Sequence, residues 1–277
     1  MSKILLASWP LGCVVVLAGC LQSDPQPTAA KPAAGLQEIA QHFYFHAEEK
    51  PHAAEWGYEA DNGPAKWGEL DPSYALAKTG KRQSPIDIPA SRLEGTDLPE
   101  LSFDYRPAKI DLVYNGHTIQ NTEDAPNHLQ ADGKTYELKQ FHFHAPSEHT
   151  IDGEHTAMEM HLVHKTKADR IAVVAVMIRE GQENAAFKPL WKHLPNPSEK
   201  HVGGDPINAA ALLPTERKYF RYDGSFTTPP CTEGVTWFVL KTPIELSTEQ
   251  IATFKKIIQG NNRPVQLLND RKILAEK

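Results

Sequence analysis

The stretch Gln140-Phe141-His142-Phe143-His144 decides how the rest of the chain is read. In a β-strand successive side chains alternate faces, so residues two apart share a face, about 6.6 Å apart at about 3.3 Å rise per residue. His142 and His144 therefore point one way, and Phe141 and Phe143 point the other, toward a buried side. Aromatic residues at this spacing suit a pleated strand rather than a helix. Working outward, Thr156 to Val163 alternates too, with Glu159, His161 and Val163 on one side. Ile151-Asp152-Gly153-Glu154 reads as the turn between two antiparallel strands, which brings His161 beside the first pair.

Thirteen histidines in 277 residues make some His-x-His pairs coincidental, and a lone pair on a strand is more often surface or core than ligand. A third imidazole on a compatible neighbouring strand makes this pair a candidate metal centre. Structural zinc sites usually close with four protein ligands, commonly cysteine, whereas catalytic sites keep one position for water. Downstream of residue 20 only Cys231 is present, so a cysteine-closed site is excluded.

The composition, 40% hydrophobic and 23% charged, is that of an ordinary globular protein with enough chain for one large core. A net charge of -6 leaves no basic stripe and excludes nucleic acid as a partner. The N-terminus differs from the rest. Lys3 precedes an apolar run from Ile4 through Ala18, broken by Pro10 and ending at Gly19-Cys20. That run is short for a membrane span of about twenty residues and reads as an export signal over residues 1–19. Leu17-Ala18-Gly19-Cys20 resembles the lipobox of bacterial lipoproteins, which implies cleavage before Cys20 and acylation of that cysteine. Leu21 follows, not the aspartate that resembles an inner-membrane retention signal. The expected location is the periplasmic face of the outer membrane, with a soluble periplasmic or secreted protein as the alternative. Residues 20–50 read as the acylated N-terminus and a tether rich in Pro, Ala, Gln and Ser, with a short helix over Leu36–Glu49. The folded domain is expected over 51–277.

Within that domain short β-rich runs alternate with turn signals: Pro85–Ile88, Leu101–Tyr105, Ile110–Tyr114, Thr135–His144, Ala157–His164, Ile171–Ile178 and Val235–Leu240. Ile171–Ile178 is an unbroken apolar run, as expected of a strand covered on both faces at the centre of a large sheet. Helices are expected over Thr248–Gln259, where Ser247 and Gln250 form a capping-box pattern, and over Asn184–His193. The fold class is mainly β, a large twisted and mostly antiparallel sheet with a few peripheral helices.

Several separated motifs together carry a resemblance. They are Trp56-Gly57-Tyr58, Asn62-Gly63-Pro64, Gln83-Ser84-Pro85-Ile86-Asp87, Asn115-Gly116-His117, the Phe-His-Phe-His stretch, Ser147-Glu148-His149-Thr150, Glu159 to His164, and Thr227-Thr228-Pro229-Pro230 before Val235-Thr236-Trp237. Between about Trp56 and Arg263 the chain resembles the α-class carbonic anhydrases, specifically their exported bacterial members. The resemblance implies a zinc lyase that reversibly hydrates carbon dioxide to bicarbonate and a proton by zinc-bound hydroxide attack.

It also implies roles. His142, His144 and His161 would bind zinc, supported by Gln140, Glu159 and a backbone carbonyl near Asn261. Thr227 would accept a hydrogen bond from hydroxide while donating to Glu148. His117 matches the proton-shuttle position, where an unperturbed pKa of about 6.5 suits a relay. Val163, Val173, Phe226, Thr228 and Trp237 would line the carbon dioxide pocket, with ordinary core packing as the competing reading for the apolar four. Phe226 departs from the leucine of many relatives and is expected to narrow the pocket and weaken ester hydrolysis. Sulfonamides and small anions are the expected inhibitors, and a homodimer the implied assembly.

In similar bacterial enzymes the cysteine after Thr-Thr-Pro-Pro is disulfide-bonded, but here Ala77 stands where the partner is expected. Cys231 is then either a free thiol or an intermolecular link. Two rival readings compete with the enzyme. A cupin-like iron or manganese protein fits His142-x-His144 followed by Glu148, but neither His161 nor the missing second cupin motif agrees with it. A catalytically silent binding module usually lacks a ligand histidine, and all three are present here.

Overall fold

Alternating and β-branched runs put much of the chain into strands. The computed structural model describes residues 54–276 apart from 196, 198 and 200–203. Its strands are β1 (Asp87–Ile88), β2 (Leu93–Thr96), β3 (Ser102–Asp104), β4 (Leu112–Tyr114), β5 (Ile119–Thr122), β6 (His128–Ala131), β7 (Lys134–His144), β8 (Thr150–Ile151), β9 (Met158–Lys165), β10 (Ile171–Glu180), β11 (Tyr219–Ser225), β12 (Glu233–Leu246) and β13 (Ile273–Glu276). The leader expected over residues 1–19, the tether expected over 20–50 and the helix expected over Leu36–Glu49 all lie outside the described residues. Among the described residues no helix is long and apolar enough to cross a membrane.

The main sheet runs β2-β13-β11-β12-β10-β9-β7-β5-β4, with β6 pairing both β3 and β7. Most pairs are antiparallel, but β10–β12 and β13–β2 are parallel. The central apolar strand β10 lies between β9 and β12, and its first eight residues are buried on both faces. This is how a strand without polar alternation avoids exposing either side.

The two faces of the sheet differ. Phe141, Phe143, Met160, Leu162, Val174, Val176, Phe238 and Leu240 contribute to the larger core, which Ile251 and Phe254 of the helix Thr248–Ile257 join. Fully burying one such side chain contributes about 1.5–3 kcal/mol. The opposite face carries a smaller apolar cluster that includes Val163, Val173, Val239 and Trp237. On that same side lie His142, His144, Glu159 and His161, by strand alternation.

Three local expectations are refined. The helix after Ser247 has its capping box but ends at Ile257, because Ile258 is extended at φ -114°. The single helix expected over Asn184–His193 is a 3-10 turn, Ala185–Phe187, followed by one α turn, Lys188–Trp191, with Pro189 in its first turn. Asp152 and Gly153 do form a tight turn, at φ 49° and 83°. That turn does not join β7 directly to β9, because β8 leaves the main sheet to pair with β1.

Candidate metal centre

Strand register assembles the centre. His142 of β7 lies directly opposite His161 of β9, and His144 opposite Glu159. The ring centroids of the three histidines stand 4.6 to 5.3 Å apart. One ligand atom from each falls within 4.8 Å of the others. Each ring also gives its other nitrogen to a fixed acceptor. His142 Nδ1 donates to Gln140 Oε1 at 2.8 Å, and His144 Nδ1 to the Asn261 carbonyl oxygen at 2.7 Å. His161 Nε2 donates to Glu159 Oε1 at 2.8 Å. Because those acceptors have no proton to offer, each neutral ring keeps a bare lone pair, on Nε2, Nε2 and Nδ1 respectively.

Burial keeps the rings neutral. It holds the His142 pKa well below the ordinary histidine range, with His144 and His161 adding to the effect. His144 is lowered to about 4 and His161 is lowered as well, both chiefly by burial. Glu159 behaves oppositely. Burial acts to raise it, but His149 and His161 outweigh that and hold the carboxyl well below its usual range. Glu159 Oε2 accepts from the backbone N–H groups of Glu148 and His149 at 2.7 and 2.8 Å.

A second polar chain leads away from the centre. His149 Nδ1 donates to Glu159 Oε1 at 2.6 Å, and its Nε2 accepts from the Tyr222 hydroxyl at 2.7 Å. Tyr222 also meets Ser84 Oγ at 2.8 Å. These are hydrogen-bond lengths, and both nitrogens of His149 are engaged, so His149, Glu159 and His161 form a hydrogen-bonded relay, not a second metal site. Gly224 makes room for it: a Cβ there would sit 2.2 Å from Ser84 Oγ.

Glu148 is fully buried. Its Oε1 accepts from the backbone N–H of Arg263 at 2.8 Å, and its Oε2 lies 3.5 Å from His144 Nε2. Burial pushes the carboxyl up to about 7, against the pull of His161, the Arg263 N–H and the Thr227 hydroxyl. Thr227 is buried near enough for its hydroxyl to act on that carboxyl, whose Oε2 has no hydrogen-bond partner among the described residues. His117 is partly exposed on the loop before β5, its ring stacked on Trp56 at a centroid distance of 3.6 Å. Asn115 Oδ1 accepts from the His117 and Thr118 N–H groups at 3.0 and 2.9 Å, a turn in which Gly116 takes φ 91°. Val163, Val173 and Trp237 lie in one cross-strand row, and the Trp237 ring stands 4.9 Å from that of His161. Phe226 is buried in the same cluster, and Thr228 is half-buried.

A family model described as eukaryotic-type carbonic anhydrase matches residues 62–277. The carbonic anhydrase of Klebsiella pneumoniae is 46% identical over 229 residues, covering 80% of this chain and 91% of that protein. That of Neisseria gonorrhoeae is 40% identical over 232 residues, covering 83% and 91%. The solved α-carbonic anhydrase of Thermovibrio ammonificans, in complex with sulfanilamide, superposes with a TM-score of 0.79 at 44% identity, covering 80% of this chain and all of that one. This chain belongs to the carbonic anhydrase family.

As a carbonic anhydrase it is a zinc lyase that catalyses the reversible hydration of carbon dioxide. The donor set fits zinc: three neutral imidazoles and no thiolate, the composition of catalytic sites that leave one position open. The cupin alternative fails on the family match. Cys231 is a free thiol with no exposed surface, pushed up to about 12 by burial, and a sulfur so enclosed does not reach a second chain. Sequence reasoning named Ser84 and His149 only as parts of motifs, and Tyr222 and Arg263 not as site residues at all. The one available signal was the cluster of polar residue types in Gln83-Ser84 and Glu148-His149, which says nothing of the partners they meet.

Proposed function

We propose that this chain is an exported carbonic anhydrase in which His142 Nε2, His144 Nε2 and His161 Nδ1 hold zinc, Glu148 and Thr227 orient the nucleophile, and His117 relays the proton. The observation that carries the reading is the convergence of three bare nitrogens whose partner nitrogens are all held by acceptors. Zinc, when bound, supplies the Lewis acidity that brings the pKa of water to about 7, as is established for carbonic anhydrase.

The protein's part is orientation and exclusion. An ionised carboxylate can only accept, so Thr227 donates to Glu148 and keeps its own lone pairs for the proton of the nucleophile. Burial opposes that ionisation, which makes the Arg263 N–H and Thr227 hydroxyl on Glu148 functionally important at neutral pH. Val163, Val173, Phe226 and Trp237 form an apolar wall that suits carbon dioxide and sheds water, and Thr228 is assigned to the same pocket. His117, partly exposed on its loop, carries the proton between the site and buffer.

The deciding experiment is a zinc assay combined with carbon dioxide hydration and its block by a sulfonamide. One zinc per chain and sulfonamide-sensitive hydration are expected; folded protein that is zinc-free or inactive overturns the reading. His117→Ala is expected to lower turnover at full zinc content, with partial rescue by imidazole. Unchanged turnover in dilute buffer removes the shuttle role. A Phe226→Leu variant should hydrolyse a nitrophenyl ester faster than the parent.

The export reading rests on the apolar run Ile4 to Ala18 and on Leu17-Ala18-Gly19-Cys20. It assigns residues 1–19 to a cleaved leader, Cys20 to acylation, residues 20–50 to the tether and the anchored enzyme to the periplasmic face of the outer membrane. An unmodified N-terminus on mature protein from a membrane fraction, read by mass spectrometry, would sink it. The homodimer is tested by sedimentation velocity on the detergent-solubilised enzyme.

A further inference from the structure

The segment after Ile258 carries two backbone groups that the centre depends on, although no strand ladder runs through it until β13. The carbonyl oxygen of Asn261 accepts from His144, and the N–H of Arg263 donates to Glu148. Irregular backbone placed beside a reaction centre needs something else to hold it still, because unladdered backbone keeps more conformational freedom.

The side chains of the same two residues supply that hold. Asn261 Oδ1 accepts from Ala145 N at 2.9 Å, and its Nδ2 donates to the carbonyls of Phe143 at 2.9 Å and His117 at 3.1 Å. Arg263 is 99% buried by its 1% exposure, and its guanidinium spans three acceptors. Nη1 donates to Gln83 Oε1 at 2.9 Å and to the Ser84 carbonyl at 2.7 Å, and Nη2 donates to the Ala77 carbonyl at 3.0 Å. Gln83 is itself anchored, its Nε2 donating to the Cys231 carbonyl at 3.0 Å, four residues beyond Thr227. The guanidinium also lies 5.7 Å from the Trp67 ring centroid.

We infer that Arg263 is a positioning residue for the reaction: its guanidinium, clamped by Gln83, Ser84 and Ala77, holds its own backbone N–H on Glu148 Oε1 and so fixes the carboxylate that orients Thr227. The planar fork explains why arginine stands here. Lysine carries the charge but offers a point donor on a flexible stem, and it cannot span three acceptors in fixed directions. A merely structural role would need the clamp alone. The backbone hydrogen bond to a fully buried carboxyl is the feature that ties the clamp to chemistry.

The inference rests on the proposed Glu148–Thr227 role, and the test separates the two. The experiment uses the full-length zinc-loaded enzyme as parent, Arg263→Lys, Gln83→Ala, Thr227→Ala and the Arg263→Lys/Thr227→Ala pair, with zinc content measured for each. Arg263→Lys should lower kcat/KM for hydration about tenfold at unchanged zinc content, which is the loss of one well-placed hydrogen bond of about 1.4 kcal/mol. Gln83→Ala should act in the same direction and more weakly. In the Thr227→Ala background the Arg263→Lys cost should fall below about twofold, because the orientation it serves is already gone. A cost that is equal in both backgrounds, or a loss of thermal stability with kcat/KM unchanged, overturns the positioning role.

A second readout is independent of turnover. In zinc-free and zinc-loaded protein alike, the amide proton of residue 263 should resonate downfield and exchange slowly in the parent, and should move upfield in Arg263→Lys and in Gln83→Ala. An amide signal unmoved in both variants overturns the inference even if Thr227→Ala keeps full activity, an outcome that would by itself retire the Glu148–Thr227 reading. Should Arg263→Lys fail to fold, Gln83→Ala and the parent amide signal carry the test.

Discussion

Phe141 and Phe143 are fully buried on one face of β7, and Gln140, His142 and His144 are nearly as buried on the other. The first pair lies in the larger apolar core, where Phe143 meets Phe187, Trp191 and Phe254, and its contribution is burial itself. The second set is buried at a cost, because a polar group withdrawn from water needs a partner. Gln140, Asn261 and Glu159 provide one partner for each histidine, and the remaining nitrogens are left bare. One strand therefore separates folding from function by a period of two: removing a side chain should damage one and spare the other.

The largest expected effect tests the polar face. His161→Ala should abolish stoichiometric zinc and reduce hydration by at least about a thousandfold, since the metal generates the nucleophile. Its far-ultraviolet circular dichroism should match the parent, and a collapsed spectrum would break the separation. Phe143→Ala tests the other face. It should cost about 3–5 kcal/mol in denaturant unfolding, while the folded fraction keeps one zinc per chain. Zinc loss from folded Phe143→Ala would show that the faces are coupled.

Smaller changes sharpen the comparison. Glu159→Gln keeps the size of the side chain but removes the charge that His149 and His161 share, and zinc affinity measured by chelator competition should fall about 10–100-fold. On the apolar face, His164 is fully buried beside the Tyr105 hydroxyl, and burial lowers its pKa to about 3. Its unfolded value is about 6.5, so below that pH the unfolded chain binds the extra proton and stability falls as pH falls toward 3. At pH 5 this linkage amounts to about 2 kcal/mol. His164→Gln should flatten the stability profile between pH 6.5 and 4 in urea titrations; an unchanged slope would assign acid sensitivity to other groups.

What could be read in the chain beforehand was local and periodic. The Phe-His alternation, the apolar run of β10 and the Ser247–Gln250 capping box each declare themselves within a dozen residues. Strand β11 was not legible, because Asp223 and Gly224 interrupt its apolar pattern, and its reason for a glycine lies in Ser84, far away in the chain. The short strands β5, β6 and β13 were missed likewise, since four residues give no usable period. The three histidines could be grouped from strand geometry, but the tie between Glu148 and Arg263 spans 115 residues and runs through a backbone N–H, which no side-chain pattern records.

The sequence by itself determined the alternation that sends His142 and His144 to one face, and the residue types able to form a three-nitrogen site with an open position. Only the tertiary structure decided which nitrogen of each ring is bare, which carbonyl and carboxylate hold the others, and that Arg263 reaches Glu148 by its backbone while its side chain grips Gln83, Ser84 and Ala77. The physical reason is that faces follow from backbone geometry between near neighbours, whereas hydrogen-bond partners depend on register and loop placement, which folding sets across the whole sheet.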